Sequence, residues 1–294
     1  MKKKPERLRK IGLIANFDKA ASRDVVLRAA GLITRTRRVV LADQQTATLA
    51  RLRCPTFLDS RALAREADLL LVFGGDGTML RVVHEIRGYQ TPILGINIGR
   101  LGFLTAVSSS DLPDALQKIW QNDFVIESRP LIEAAGQCQG KSTQMYAFND
   151  IVISHGAVSR VIELDVHVDD QPLTRYRGDG LIVSSPTGST AYSLSAGGPI
   201  ISPEAQVFAI TPICAHAISN RSVIISSNSA VRVQLLSRQM ETIVSADGQI
   251  QAKLGGDDAI TIRRSRRSAK LLHLADSSFF SAVRQKLHWS GSSV

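Results

Sequence analysis

Short apolar runs alternate with helical-period segments through the first third of the chain. Ile11–Ala15, Val39–Leu41, Leu69–Phe73 and Ile93–Ile96 are too short for helices and read as buried strands. Between them, Ser22–Leu32, Thr46–Arg51 and Thr78–Ile86 place apolar residues three and four positions apart, as in Met79, Val82, Val83 and Ile86. Strand–helix alternation predicts a parallel α/β sheet, whose ligands bind beyond the carboxyl ends of the strands. Asp111–Gln121 reads as one more helix, with Pro113 near its start. From Phe124 the texture changes to short strands of Val, Ile and Thr, among them Ile151–Ser154, Ile162–Val168, Gly180–Ser184, Val223–Ser226, Val231–Leu235 and Ile260–Arg263. Asp169-Asp170 and Asp247-Gly248 read as hairpin turns. Helical texture returns at Ser278–His288. The expected organisation is an α/β domain over 1–123, a β-rich domain over 124–274, and a C-terminal helix over 275–294 packing back on the first domain.

Length agrees, since 294 residues suit about two domains. With 44% hydrophobic and 21% charged residues, the composition is that of an ordinary globular chain. The net charge of +10 is clustered in Lys2–Lys10, Arg35–Arg38 and Arg263–Lys270. No stacking aromatics interleave these clusters, which argues against nucleic acid as partner and for a general attraction to anionic nucleotides. Three widely spaced cysteines, with no C-x-x-C, argue against a zinc site and a disulfide framework and fit a reducing compartment. The six histidines show no metal spacing, and no residue is assigned as a metal ligand. The apolar run behind the basic N-terminus is short and reads as a first strand, not a signal sequence. No segment approaches the ~20 apolar residues of a membrane span. The expected location is cytoplasmic.

The chemistry concentrates in a few segments. Gly74-Gly75-Asp76-Gly77-Thr78 follows the strand Leu69–Phe73 directly. Glycines permit positive φ and close approach of a ligand to the main chain. Consecutive N–H groups and the following helix N-terminus suit phosphate. Asp76 is placed to hold a metal ion or to take a proton from a hydroxyl; the alternative is a helix N-cap. The loop is neither a Walker-A nor a dinucleotide fingerprint. Gly95–Thr105 is a second glycine-rich loop, in which Asn97 is a candidate ligand and Phe103 either stacks on a base or belongs to the core. Asn149-Asp150 suits the paired hydroxyls of a ribose, though such a pair is also a common turn or cap. Ser184–Ser195, rich in small and hydroxyl residues, suits a planar base and polar sugar, or is a Ser/Gly surface loop. A nucleophilic Ser189 is excluded, because Gly188-Ser189-Thr190-Ala191 lacks the elbow pattern.

Taken in order, Gly74–Thr78, Gly95–Thr105, Asn149-Asp150, Arg177-Gly178-Asp179-Gly180 and Ser185–Pro199 resemble bacterial NAD kinases, over roughly residues 10–280. Phosphofructokinases and diacylglycerol or sphingosine kinases share the first loop; the Ser185–Tyr192 segment is similar to the NAD kinase branch. The resemblance implies an N-terminal Rossmann-like α/β domain and a C-terminal β-sandwich-like domain, with the active site in the cleft between them. It implies transfer of the ATP γ-phosphoryl group to the adenosine-ribose 2′-hydroxyl of NAD, with a divalent ion, Mg²⁺, accompanying ATP. Asp76 is then the general base or metal-linked carboxylate, and Gly74, Gly75, Gly77 and Thr78 hold phosphate. Asp76, Gly77, Phe103, Asn149, Asp150, Thr190, Ala191, Tyr192, Ser193, Leu194 and Ser195 would contact NAD, with Arg160 and Gln249 as further contacts. Arg177 and Asp179 resemble residues near the nicotinamide end, supplied across a subunit contact of a homodimer or homotetramer. The arginine at 177 goes, in that family, with preference for NAD over NADH. One departure is Asp150, where many members carry glutamate, one methylene longer. Rival readings are a lipid or sugar kinase, a nucleotide sensor without turnover, and a nucleic-acid-binding protein.

Overall fold

The computed structural model describes residues 8–17, 21–99, 102–105, 107–156, 161–217, 220–237 and 241–289. The chain forms two compact units, Met1–Arg129 with Ser268–Val294, and Pro130–Arg267.

The first unit runs β1 (Lys10–Ala15), α1 (Ala21–Thr34), β2 (Val39–Asp43), α2 (Gln44–Ala50), β3 (Thr56–Phe57), α3 (Ser60–Glu66), β4 (Leu69–Gly74), α4 (Asp76–Glu85), β5 (Ile93–Asn97), β6 (Val107–Ser108) and α5 (Leu112–Trp120). Its strands pair in parallel in the order β5-β4-β1-β2-β3. The continuous apolar run of β4 is buried at all six positions, as expected where helices cover both faces. Val26, Ala29 and Ile33 of α1 and Leu112, Ala115, Leu116 and Ile119 of α5 pack on Ile11, Leu13, Leu71, Phe73, Leu94 and Ile96. Strand order reverses between β1 and β4, so the carboxyl ends of these two strands flank the switch point where α/β sheets place ligands. The expected strands and helices are present, with ends shifted by at most two residues. Three elements escape the pattern. β3 and β6 are two residues long each, and α3 is a seven-residue helix started by Asp59, whose carboxylate accepts the Ala62 N–H at 2.7 Å. None is long enough to show a period.

The second unit is all strands apart from short helical turns. It contains most of β7 (Phe124–Cys138), then β8 (Lys141–Ala147), β9 (Asp150–His155), β10 (Ile162–Val168), β11 (Gln171–Gly178), β12 (Gly180–Ser184), the one-turn α6 (Tyr192–Ser195), β13 (Val207–Ile213), β14 (Val223–Ser226), β15 (Val231–Leu235), β16 (Thr242–Ala246), β17 (Gln249–Leu254) and the first half of β18 (Ala259–Leu274). The α7 helix (Phe279–Lys286) belongs to the first unit. One six-stranded antiparallel sheet has the order β14-β13-β12-β9-β16-β17. Facing it are β7–β8, β11-β10-β15 and the start of β18; Ile151, Ile153, Leu181 and Val183 from the first sheet meet Ile132, Leu164, Val166, Val233 and Ile260 from the second. The expected strand Ile260–Arg263 is the opening of the much longer β18.

Both expected hairpin turns form. Asp169 and Asp170 have φ of 51° and 64°, and Asp247 and Gly248 have φ of 48° and 77°, the left-handed pair a two-residue turn requires. Asp169 accepts the Ala230 N–H at 2.8 Å, while Asp170 carries the left-handed conformation without glycine's freedom. Asp170→Gly therefore stabilises the protein by about 0.5–1 kcal/mol, read as a higher urea midpoint. An unchanged midpoint would mean the turn carries no strain.

Candidate functional site

In the first unit, Gly75 is the N-cap of α4 and Asp76 its first residue, so Asp76 does not cap the helix. The three glycines have no positive φ. Only the first is held to glycine by its neighbours. A Cβ on Gly74 would lie 2.2 Å from Thr78 Oγ1, whereas one on Gly75 or Gly77 would meet nothing within 4 Å. The loop is thus packed from beneath at Gly74 and bare at the next two glycines. The first turn of α4 presents its N–H groups there.

The Asp76 carboxylate reaches to the second glycine-rich loop. Oδ2 accepts the Phe103 N–H at 2.8 Å and Oδ1 the Leu104 N–H at 3.0 Å, with Thr105 Oγ1 3.5 Å from Oδ1. Gly102 is required by this contact, because a Cβ there would stand 1.7 Å from Asp76 Oδ1. Asn97, at the end of β5, is buried and used internally: Nδ2 donates to Thr105 Oγ1 at 2.9 Å and Oδ1 accepts the Gly99 N–H at 2.7 Å. It organises the loop instead of facing outward. The Phe103 ring has Lys286 Nζ of α7 at 5.1 Å from its centroid. Sequence reasoning missed this loop-to-loop clamp, since nothing in the spacing pairs residue 76 with residues 103–105.

In the second unit, Asn149-Asp150 opens β9 and is held by an unexpected residue, Asp247. Its carboxylate accepts the N–H groups of Phe148 (2.7 Å), Asn149 (2.7 Å) and Asp150 (3.1 Å), and its own N–H donates to the Asp150 carbonyl at 3.1 Å. The sequence marked Asp247 only as a turn residue; the alignment of β16 beside β9 gives it the second task. Asn149 Oδ1 is buried with no hydrogen-bond partner in the protein. An orphaned buried acceptor of this kind takes its donor from outside the protein, water or a ligand. Asp150 is also buried, and burial, reinforced by the nearby Asp247 charge, pushes its carboxyl up to about 7.

The Ser185–Ser195 segment is built onto this pair. The Ser185 N–H donates to the Asn149 carbonyl at 2.8 Å, and Ser185 Oγ bridges the Phe148 carbonyl and the Gly188 N–H. A Cβ on Gly188 would lie 2.1 Å from that same Asn149 carbonyl oxygen. The segment forms two short helical turns, Thr187–Thr190 and α6, and is not a loose surface loop. Thr190, Ala191 and Leu194 are half-buried, and Tyr192 and Ser195 exposed. Ser193 is fully buried, with its hydroxyl 3.1 Å from Thr211 Oγ1, and Ser189 Oγ is engaged with Pro186 and Ile201. Both hydroxyls therefore serve packing. Gln249 is exposed and follows the Asp247-Gly248 turn directly.

Arg177 and Asp179 lie elsewhere. Asp150 pairs with Ser184 at one end of β12, while the Asp179 carbonyl accepts the His155 N–H at the other. Five strand residues separate the two positions by roughly 16 Å. Within one chain they do not join the Asn149-Asp150 group. Arg160 lies outside the described residues.

The chain thus combines a parallel α/β unit that carries a bare glycine loop at its switch point with a β-sheet unit that carries a backbone-clamped Asn-Asp pair. Comparison with known families makes this specific. Residues 11–124 match the ATP-NAD kinase N-terminal domain and residues 148–274 the ATP-NAD kinase C-terminal domain. The chain belongs to the ATP-NAD kinase family. It is 40% identical to the NAD kinase of Moorella thermoacetica over 290 residues, 97% of this chain and 91% of that protein. Among solved structures it is similar to an NAD kinase from Archaeoglobus fulgidus in complex with ATP, with 25% identity, a TM-score of 0.74, and coverage of 96% of this chain and 100% of that one. Its fold is also that of yeast NADH kinase complexed with NADH, with 24% identity, a TM-score of 0.87, and coverage of 98% and 90%.

The raised proton affinity of Asp150 has a thermodynamic consequence. In the unfolded chain this carboxyl titrates near its ordinary 3.8; in the folded protein it holds its proton to about 7. Its contribution to stability is complete below the lower value and is lost as pH rises through the upper one. Asp150→Asn removes that loss. The unfolding free energy of the variant, relative to the parent, rises by up to about 4 kcal/mol between pH 4 and 7.5 in urea titrations. A pH-independent difference would show that Asp150 ionises freely.

Proposed function

We infer that this chain is an ATP-dependent NAD kinase, transferring the γ-phosphoryl group of ATP to the adenosine-ribose 2′-hydroxyl of NAD to give NADP. The observation that carries the reading is the family match over both halves of the chain, at 40% identity to a named NAD kinase across 97% of its length. The residue roles are our proposal. On the α/β unit, the exposed backbone of Gly75 and Gly77, with Gly74 and Thr78 packed beneath, receives donor phosphates. Phosphoryl transfer asks for positioning and charge neutralisation more than covalent chemistry, and a rigid N–H cradle supplies both. Asp76 orients the acceptor hydroxyl and takes its proton. Oδ2 accepts one backbone N–H and keeps a further lone pair for that contact.

On the β unit, Asn149 Oδ1 accepts a ribose hydroxyl, which supplies the donor it lacks in the protein. Asp150, holding its proton to near neutrality, donates to or accepts from the adjoining hydroxyl. Thr190, Ala191, Tyr192, Leu194 and Ser195 line the base and sugar, Ser193 fixes their turn through Thr211, and Gln249 and Phe103 add contacts. Arg177 and Asp179 act on the nicotinamide end of a dinucleotide held by a second copy, which accords with their distance from Asn149 in one chain. Exposed Ile224 and Ile250, on the two edge strands of the six-stranded sheet, support a homo-oligomer.

Among the described residues no group of three His, Cys, Asp or Glu side chains is placed to hold a metal ion. A divalent ion, Mg²⁺, accompanying ATP would supply charge neutralisation to its phosphates. Among the described residues no helix is long and apolar enough to cross a membrane.

The test is NADP formation from NAD, ATP and Mg²⁺, read with an NADP-specific dehydrogenase. Asp76→Asn retains NAD binding and lowers kcat by about 10²–10⁴-fold. Parent-like turnover in that variant removes Asp76 from the chemistry, and NAD binding without turnover in the parent protein points to a sensor.

A further inference from the structure

Between β8 and β9 the chain passes through two residues that belong to neither strand, Phe148 and Asn149. All four of their main-chain polar groups nevertheless have partners in the protein. The two N–H groups donate to Asp247, Phe148 to Oδ2 and Asn149 to Oδ1, at 2.7 Å each. The two carbonyls accept from Ser185, whose Oγ donates to Phe148 at 2.7 Å and whose N–H donates to Asn149 at 2.8 Å. Asp247 follows β16 and Ser185 follows β12, the two strands that flank β9, so the link is bracketed from both sides.

Both ends of the bracket are themselves fixed. Asp247 sits in the tight turn before β17, with φ of 48°, and its N–H returns to the Asp150 carbonyl at 3.1 Å. Ser185 is buried, and its Oγ also accepts the Gly188 N–H at 3.1 Å. Its N–H bond to Asn149 leads directly into the Thr187–Thr190 turn, where a Cβ on Gly188 would lie 2.1 Å from the Asn149 carbonyl oxygen. One short peptide thus sets the Asn-Asp pair and the start of the small-residue segment together.

Stability alone does not ask for this arrangement. Water or a turn satisfies the main chain of a two-residue link between strands. Here a carboxylate does so, and it stands next to a second carboxyl, the buried Asp150, whose N–H it also accepts at 3.1 Å. Two carboxyl groups so close disfavour each other's charge. Burial first, and the Asp247 charge second, raise the proton affinity of Asp150; its other neighbour across the sheet, Ser184 of β12, is uncharged. Local conflicts of this kind belong to functional sites. What the bracket secures is the side chain between its ends, where Asn149 Oδ1 is buried without a partner in the protein.

We propose that Asp247 and Ser185 are positioning residues of the acceptor site, which touch no substrate themselves but hold Asn149 and Asp150 in the orientation that receives the ribose hydroxyls of NAD. The proposal rests on the NAD kinase reading for the identity of the ligand. NAD is titrated calorimetrically between about pH 5.5 and 8.5 into the full chain, Asp247→Asn and Ser185→Ala, with NADP formation assayed in parallel and Mg²⁺–AMP-PNP binding as the control for folding. Asparagine keeps the shape of Asp247 but has one acceptor oxygen, so at least one N–H of the link faces an amide donor. Asp247→Asn lowers kcat/KM for NAD about 10²-fold, the size of effect that a misplacement of about 1 Å produces, and leaves KM for ATP and AMP-PNP affinity as in the parent. The pH midpoint of NAD affinity moves down in that variant, because the charge beside Asp150 is gone. Ser185→Ala keeps the N–H bond to Asn149 and loses only the hydroxyl, so kcat/KM for NAD falls severalfold and the pH midpoint stays. Parent-like NAD kinetics in either folded variant, or an unmoved pH midpoint in Asp247→Asn, overturns the proposal. Should Asp247→Asn fail to fold, Ser185→Ala decides alone by the same criterion. A parent protein that binds NAD without making NADP, with weaker NAD binding in the variants, sustains the bracket and overturns the kinase reading; a parent that binds no NAD overturns both.

Discussion

The Asp76 carboxylate, through the two backbone N–H groups it accepts from Phe103 and Leu104, is the contact on which the α/β unit's functional edge depends. Two glycine-rich loops leave adjacent strands of one sheet, and neither has enough side-chain bulk to define its own shape. The carboxylate couples them. A charged acceptor holding two N–H donors is among the stronger neutral-partner arrangements available to a protein, and it explains the rest of the second loop. Gly102 has to lack a Cβ, Thr105 has to present its hydroxyl to the Gly102 N–H, and Asn97 has to hold Thr105 in turn. The residue proposed to do chemistry is therefore also the residue that builds the surface around it, and its orientation is fixed before any substrate arrives.

The β unit solves the corresponding problem with the same device. Asp247 gathers three consecutive N–H groups and so sets the backbone of Asn149 and Asp150. The electrostatic effect differs. Placing one carboxylate beneath another raises the proton affinity of Asp150, already raised by burial, while the Asn149 carbonyl oxygen of the main chain is consumed by Ser185. What remains unpaired is the Asn149 side-chain oxygen. The unit thus offers a buried acceptor and a carboxyl poised near neutrality side by side, a pairing matched to vicinal hydroxyls.

Much of this fold was legible in the chain. Leu69–Phe73 reads as a buried strand, and Asp-Asp and Asp-Gly between alternating strands read as tight turns; the structure holds both. Elements below the length of a period, such as Thr56–Phe57 and Ser60–Glu66, left no signature. The candidate segments were legible where they are local: the glycine loop follows β4, the Asn-Asp pair opens β9 and the small-residue segment follows β12. It was illegible where it depends on register. Asp247 looked like a turn residue because its partners are ninety-seven to ninety-nine positions away. Ser193 looked like a pocket residue until β13 brought Thr211 to its hydroxyl. The glycines of the first loop were expected to serve left-handed backbone and close approach of a ligand; none has a positive φ, and only Gly74 is held to glycine by its neighbours.

That last point separates two kinds of glycine in one motif. At Gly74 a methyl group would collide with Thr78, so the fold itself forbids a side chain. At Gly75 and Gly77 a methyl group would meet only solvent, and the backbone there is accessible to any residue. Nothing in the resting protein demands their bareness. On the proposed function the demand comes from the donor phosphates, and the composition of this loop is then in part a cast of its ligand.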